Sequence, residues 1–210
     1  MVLTKRTLLA TALAAATFAA ARAQAWPAKP IRLIVPLAPG ATADIVARMF
    51  AEELGKSLGQ TVVVDNKTGA GGTIATAEAA RSLADGYTLV LVSQGTMVFN
   101  IGLYKSPGYD PLKDLTMITA TGGVSNVLVV HPDNPAKSVA DLLAQARARP
   151  GELTYSSGGV GTSHHMSGVL LELRTGVKLQ HVPYRATPAG ILAVANGEVT
   201  MGLFNTPTVI

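Results

Sequence analysis

The sequence predicts an α/β protein with mostly parallel sheets, divided into two domains. Short runs of β-branched and aliphatic residues alternate with longer segments whose apolar residues recur at helical spacing. The loops that follow the strands are rich in Gly, Ser, Thr and Ala. The 210 residues are 48% hydrophobic and include no cysteine, so a packed core is expected. Disulfide frameworks, Cys-ligated metal sites and thiol nucleophiles are excluded.

The first 23 residues have the pattern of an export signal. Lys5 and Arg6 form a positive segment, residues 7–20 are uncharged and rich in Leu and Ala, and small-x-small cleavage patterns follow at residues 21–25. The apolar stretch is shorter than the roughly 20 residues of a typical membrane-spanning helix. We therefore expect a cleaved signal peptide at residues 1–23 and a periplasmic mature protein.

Most of the net charge of +4 belongs to this segment, which contains three cations and no acid. Outside it, 14 Lys and Arg stand against 13 Asp and Glu, and the cations are scattered. Nucleic-acid binding needs basic residues clustered on one face and is not expected.

The first domain is predicted to span residues 24–122. Short apolar runs bounded by turn residues predict strands at 31–37, 61–65 and 87–92. Helical spacing predicts helices at 43–58 and 73–83. In the first helix one apolar stripe is expected, formed by Ile45, Val46, Met49, Phe50, Leu54 and Leu58. Proline and glycine predict a loop at 106–114, and a further strand is predicted at 115–121.

A boundary is predicted at Gly122-Gly123, and the second domain at residues 123–210. The same patterns predict strands at 126–131, 153–156, 178–183 and 199–204, with helices at 138–149, 162–175 and 189–195. Ser138 and Asp141 fit a capping box at the first of these helices. In the second, the residues predicted to face the core are Met166, Val169, Leu170 and Leu173.

Ligands of open α/β sheets bind beyond the carboxyl ends of the strands. The corresponding loops here lie at residues 36–43, 67–73, 93–96 and 156–165. Their ionisable side chains are Lys67, His164 and His165. Each loop leads into a predicted helix, whose free N–H groups and partial positive charge suit a carboxylate or phosphate. Hydroxyl donors could be added by Thr42, Thr73, Thr96, Thr162 and Ser163.

Such donors can hold an anion without arginine. A hydrogen bond to a charged group contributes about 1.5–3 kcal/mol, so four would contribute roughly 6–12 kcal/mol before ordering costs. Micromolar affinity requires about 8 kcal/mol. A cleft that closes over a small dianion and excludes water therefore meets the requirement.

Other site chemistries have weaker patterns. The glycines at 69–72 and 158–161 lack the spacing of dinucleotide-binding and P-loop motifs. The adjacent His164 and His165 point to different sides of a helix, which is unsuited to binding one metal ion. An α/β hydrolase using Ser157 and His164 stays an alternative, although the chain has no G-x-S-x-G elbow.

A series of motifs runs in order along the chain from Trp26 to about Pro207. It begins with Trp26-Pro27-x-x-Pro30, the run 31–36 and Ala38-Pro39-Gly40, and continues with Val62-Val63-Val64-Asp65-Asn66, Gly69-Ala70-Gly71-Gly72, Asp85-Gly86-Tyr87, Tyr109-Asp110-Pro111, Tyr155-Ser156-Ser157-Gly158, Gly161-Thr162-Ser163-His164 and His181-Val182-Pro183-Tyr184. This series resembles the Bug family, the periplasmic solute-binding receptors of tripartite tricarboxylate transporters.

The resemblance implies a two-domain, periplasmic-binding-protein-like (Venus flytrap) fold with a small carboxylate in the interdomain cleft. It implies membrane transporter subunits as partners and no catalytic residue, cofactor or metal; a monomer is expected. Carried over by position, the ligand-binding residues are Pro39, Gly40, Ala41, Thr42, Asp44, Gly71, Gly72, Ser93, Thr96, Ser157, Thr162, Ser163, His164, Tyr184 and Asn205. Of these, Asp44 is expected to brace its helix.

The chain departs from the family pattern at several positions. Ala41 replaces a usual glycine, Arg185-Ala186 replaces Lys-Gly, and Phe204 stands where an acid commonly precedes the asparagine. Family members are also longer, so a truncated chain with an incomplete second domain is expected. A ligand sensor that signals to a membrane protein remains an alternative to a transport receptor.

Overall fold

The structure is a computed structural model that describes residues 26–209. The predicted signal peptide, residues 1–23, lies outside the described residues. Within the described range the strands form a three-stranded and a four-stranded sheet. We call each sheet with its helices the first lobe and the second lobe, in chain order. The predicted α/β class with mostly parallel sheets is confirmed.

The first lobe is built on a parallel sheet with strand order β2-β1-β3. Its elements are β1 Ile31–Val35, α1 Thr42–Leu58, β2 Val62–Asn66, a 3₁₀ turn Ala70–Gly72, α2 Thr73–Ala80 and β3 Thr88–Val90. A π-helical turn, Gly95–Phe99, then leads into α3 Asn100–Leu103. The carboxyl ends of the three strands share one sheet edge because all pairs are parallel.

The second lobe is built on a mixed sheet with strand order β4-β7-β5-β6, in which only the β4–β7 pair is antiparallel. Its elements are β4 Asn126–Val130, α4 Val139–Ala148, β5 Thr154–Ser157, α5 Ser163–Thr175, β6 Gln180–Pro183, α6 Thr187–Ala195, β7 Met201–Asn205 and a 3₁₀ turn Thr206–Thr208. As the capping pattern predicts, the Ser138 hydroxyl accepts a hydrogen bond from the Asp141 amide at the start of α4. The domain limits at residues 122 and 123 stay a prediction.

The apolar stripe predicted on α1 faces the core only in part, with Val46, Leu54 and Leu58 half-buried. Ile45, Met49 and Phe50 are exposed, whereas Ala47 and Ala51 are buried against the apolar residues of β1. Small side chains let the helix backbone approach the sheet closely, and this close approach rotates the larger apolar residues outward.

The predicted core face of α5 is also partly wrong. Leu170 and Leu173 are exposed, while His164 and Gly168 are buried. A Cβ on Gly168 would overlap the Tyr155 ring, so the buried ring can pack against α5 only because residue 168 has no side chain. The core of the second lobe centres on this ring and on neighbouring aliphatic residues.

The strand predicted at residues 115–121 does not form. The segment has no regular secondary structure and is mostly exposed, with Ile118 76% exposed. Apolar composition alone does not make a strand where no neighbouring strand supplies hydrogen bonds. Over residues 26–209, no helix combines the length and the apolar character that crossing a membrane requires.

Candidate functional site

The loop after β1 is held by a carboxylate from the first turn of α1. The buried Asp44 accepts a hydrogen bond from the Gly40 amide, N–O 2.9 Å. The Arg48 guanidinium lies 3.0 Å from the other carboxylate oxygen of Asp44. Burial by itself would raise the pKa of Asp44, but Arg48 and the Gly40 amide hold it below its ordinary value. Asp44 is therefore an ion-paired brace for this loop.

Three loops of the first lobe converge at one point. A Cβ built on Gly72 would lie 2.9 Å from both the Pro36 Cβ and the Thr96 Cγ2, so only glycine fits where these loops meet. The φ of Gly72 is +92°, a conformation that also favours glycine. The buried Thr96 hydroxyl donates to the Ser93 carbonyl and accepts from the Ser93 amide, at 3.2 and 3.1 Å. Lys67, the cation of loop 67–73, is paired with Glu78 at 2.6 Å.

The facing loop of the second lobe is held by imidazoles. His164 Nδ1 accepts from the Gly158 amide at 3.4 Å, and His165 Nδ1 accepts from the Gly161 amide at 3.2 Å. Because His164 Nδ1 is an acceptor, Nε2 carries the proton and donates to Asn205 Oδ1 at 3.1 Å. The Thr162 hydroxyl caps α5 by accepting from the His165 amide.

The imidazoles near this loop are favoured in the neutral form. Burial lowers the pKa of His164, and a hydrogen bond to Asn205 partly offsets this effect. Burial also lowers the pKa of His165, against the charge of Glu172. For His181, burial and the neighbouring His165 lower the pKa to about 4. The His165 and His181 rings stack with centroids 4.2 Å apart. At neutral pH this cluster therefore offers acceptors to the loop amides and adds no positive charge.

The hydrolase alternative requires a hydrogen bond between Ser157 and His164, which the structure does not contain. Ser157 Oγ lies 2.7 Å from Nε2 of His181, whereas His164 bonds to Gly158 and Asn205. Ser157 is completely buried and its hydroxyl also lies 3.2 Å from the Gly159 carbonyl oxygen. Within residues 26–209, no cluster of three His, Asp or Glu side chains could hold a metal ion.

The predicted site residues divide by exposure. Buried members are Ala41, Thr42, Asp44, Gly72, Thr96, Ser157, Thr162 and His164. Partly buried members are Gly71, Ser163, Tyr184 and Asn205. Exposed members are Pro39, Gly40 and Ser93. The lobes meet beside several of them, since the Tyr104 hydroxyl donates to the Val160 carbonyl oxygen at 3.3 Å.

Sequence reasoning missed Thr187, Asn100 and His181. The hydroxyl of Thr187 at the start of α6 is buried without a hydrogen-bond partner, as is that of Thr42 at the start of α1. The pattern Thr187-Pro188 is a recognisable helix start and could have identified this residue. Asn100 had no such signal, because its partners are far away in the sequence. His181 belongs to the motif His181-Val182-Pro183-Tyr184, but its contact with Ser157 joins two separate strands and could not be predicted from that motif. Phe204, at the position of the usual acid, is fully buried and packs edge-on against His164.

Comparisons with known proteins agree with this architecture. Residues 46–210 match the family described as tripartite tricarboxylate transporter family receptor. Protein BugT of Bordetella pertussis is 39% identical over 189 residues, which cover 90% of this chain and 58% of BugT.

Two solved structures are also similar. An R. palustris protein with adipate is 37% identical with a TM-score of 0.84, over 87% of this chain and 61% of that one. MatC from Rhodopseudomonas palustris with bound malate is 27% identical with a TM-score of 0.82, over 87% of this chain and 62% of that one. The chain thus spans 58 to 62% of the length of these relatives. The family match and the shared fold show that the chain belongs to the tripartite tricarboxylate transporter receptor family of binding proteins.

Proposed function

We propose that this protein is a periplasmic receptor that binds a small carboxylate between its two lobes. A tripartite tricarboxylate transporter would receive the ligand from the receptor, which acts as a monomer. Binding would be the same step in a sensor, but the family description names a transporter. The cleft binds and releases the solute and leaves its covalent bonds unchanged.

The observation that carries the proposal is the meeting of two helix N-termini from opposite lobes. The Pro188 side chain in the first turn of α6 lies 3.8 Å from a Cβ built on Gly40, just before α1. Each helix begins with a buried threonine, Thr42 and Thr187, whose hydroxyl has no partner. Positive helix ends and hydroxyl donors are complementary to a carboxylate.

The charges around the cleft support the same ligand class. Asp44 is neutralised by Arg48 and Lys67 by Glu78, so these groups present no unpaired charge to a ligand. A ligand ammonium group would require a carboxylate acceptor, and the buried Phe204 stands where the family commonly has an acid. We therefore favour carboxylates without an amino group, and the adipate and malate of the two solved relatives are suitable probes.

Isothermal titration with adipate, malate and the uncharged diamide of adipic acid tests the proposal. We expect a dicarboxylate to bind and the diamide to fail, because the helix ends and hydroxyls favour negative charge. Binding of the diamide as tightly as adipate, or no carboxylate binding at all, would contradict the proposed function.

Threonine-to-valine variants test which hydroxyls contribute. Thr42→Val or Thr187→Val should weaken binding of the dicarboxylate by about 10- to 100-fold, the loss of one hydrogen bond to a charged group. Removing an unpartnered buried hydroxyl should not reduce the stability of the empty protein. Thr175→Val, in the last turn of α5, is the control for binding and should bind normally, although it removes the hydrogen bond from the Thr175 hydroxyl to the Leu171 carbonyl.

A further inference from the structure

The tip of the loop between β5 and α5, residues 159–161, reaches from the second lobe into the first. Its central carbonyl, that of Val160, accepts the hydrogen bond from Tyr104. A Cβ built on Gly95 would lie 2.6 Å from the Gly161 carbonyl oxygen, and one built on Gly71 would overlap the Val160 carbonyl oxygen. Backbone therefore meets backbone across the lobes, with no room for side chains at Gly71 or Gly95.

Asn100 forms the floor of this contact. Its side-chain Nδ2 donates to the Gly71 carbonyl and to the Thr73 hydroxyl, each at 3.0 Å. Its Oδ1 has no hydrogen-bond partner and faces Gly161 so closely that a Cβ there would overlap it. Docking of the tip thus buries an acceptor that water could satisfy when the lobes separate, which disfavours closure of an empty protein.

The local backbone conformation does not explain why residue 95 is a glycine. It lies in a helical turn with an ordinary negative φ, where alanine is the better helix former. Within its own lobe, the nearest atom to an added Cβ is Ser93 Oγ at 3.3 Å. The collision at 2.6 Å is with the other lobe. Gly102, further along the same helical segment, has no atom within 4 Å of such a Cβ. Closure of the lobes, and not the fold of the first lobe, is what requires glycine at position 95.

We propose that the tip, residues 159–161, and its first-lobe socket of Gly71, Gly95, Asn100 and Tyr104 form a latch that sets how far the lobes close. Gly95 is a positioning residue in this latch, because the absence of its side chain permits the closed position. The inference rests on the proposed function in one respect: a bound carboxylate supplies the free energy that favours the closed latch.

Spin-label distances across the lobes test the latch. The chain has no cysteine, so Glu53→Cys on α1 and Arg174→Cys on α5, both exposed positions, provide unique labels. Pulsed electron resonance compares this background with Gly95→Ala and with the matched control Gly102→Ala, each without ligand, with adipate and with malate. In the background chain and in the control, we expect a population whose label distance is that of the structure, in which the two lobes are in contact. Adipate should increase this closed population. Gly95→Ala should lack it and should release adipate at least about tenfold faster.

The outcomes separate the two proposals. A Gly95→Ala distance distribution equal to that of the background would overturn the latch. So would the absence of the closed distance in the background chain both with and without adipate. If neither adipate nor malate shifts the distance distribution of any variant but Gly95→Ala still lengthens the distance, the latch stands and the carboxylate assignment fails.

Discussion

The two loops that face each other across the cleft are held in similar ways by different chemistry. In the first lobe the Gly40 amide donates to the Asp44 carboxylate. In the second lobe the Gly158 and Gly161 amides donate to the imidazoles of His164 and His165. In both cases the side chain that holds the loop belongs to the helix that follows it. The Gly40–Asp44 and Gly161–His165 bonds both join residues four apart, while the acceptor is an ion-paired carboxylate in one lobe and a neutral imidazole in the other.

Because the acceptors differ, the two loops should respond differently to a change in pH and to the loss of a charged side chain. The depressed pKa of Asp44 keeps its carboxylate charged at all but strongly acidic pH. The imidazoles of His164 and His165 remain acceptors only while they are neutral, and because the folded loop lowers their pKa values, a falling pH favours opening of the loop. The first-lobe loop should therefore be sensitive to loss of charge, and the second-lobe loop to acid.

The largest expected effect is that of Asp44→Ala. The variant removes a charge-assisted hydrogen bond to Gly40 and a carboxylate at the positive end of α1, so we expect a loss of about 2–3 kcal/mol in the free energy of unfolding. Denaturant titration measures it. Glu52→Ala removes an exposed ion pair with Lys56 on the same helix and should have almost no effect. Equal losses in the two variants would contradict the assigned role of Asp44.

An intermediate effect is expected from two helix caps. Thr162→Ala at α5 and Ser138→Ala at α4 each remove a hydroxyl that accepts from a first-turn amide, so each should cost about 1 kcal/mol in the free energy of unfolding. The loss should be somewhat larger for Thr162→Ala, because that hydroxyl also donates to the Gly159 carbonyl at 2.7 Å. Thr162 is a predicted binding residue, whereas Ser138 is not. Thr162→Ala should therefore also weaken adipate binding in calorimetry. A comparable loss of affinity in Ser138→Ala would mean that binding merely follows overall stability.

The smallest effect is expected from mild acidification. His164, His165 and His181 have pKa values below 6.5 in the folded protein, so they take up protons on unfolding or local opening. Stability conferred by the second-lobe cluster is complete above about pH 6.5 and decreases as the pH falls towards about 4. The contribution of Asp44 is lost only below its ordinary pKa of 3.8.

Hydrogen exchange between pH 7 and pH 5, corrected for the intrinsic rate, distinguishes the lobes. Protection of the Gly158 and Gly161 amides should decrease, and that of the Gly40 amide should stay constant. His131→Asn alters an imidazole outside the cluster and should leave this pattern unchanged. A parallel decrease in both lobes would show that acid acts on the protein as a whole.

Much of the fold could be predicted, because its signals are local. Periodicity and turn residues placed the helix at 42–58 and the cap at Ser138 to within a residue or two. Periodicity did not predict which face of α1 packs, since the close approach of helix and sheet favoured Ala47 and Ala51 over larger neighbours. The strand predicted at 115–121 failed because pairing depends on a partner strand.

The sequence by itself determined the α/β order of elements, the glycine- and hydroxyl-rich loops after the strands, and the family. Each of these depends on neighbouring residues or on motifs in order along the chain. Only the tertiary structure decided that Asn100 lies against Gly161, that Ser157 bonds to His181, and that the starts of α1 and α6 meet. These contacts join residues far apart in the chain, and their positions follow from how two sheets place their loops in space. Local propensities do not carry that information.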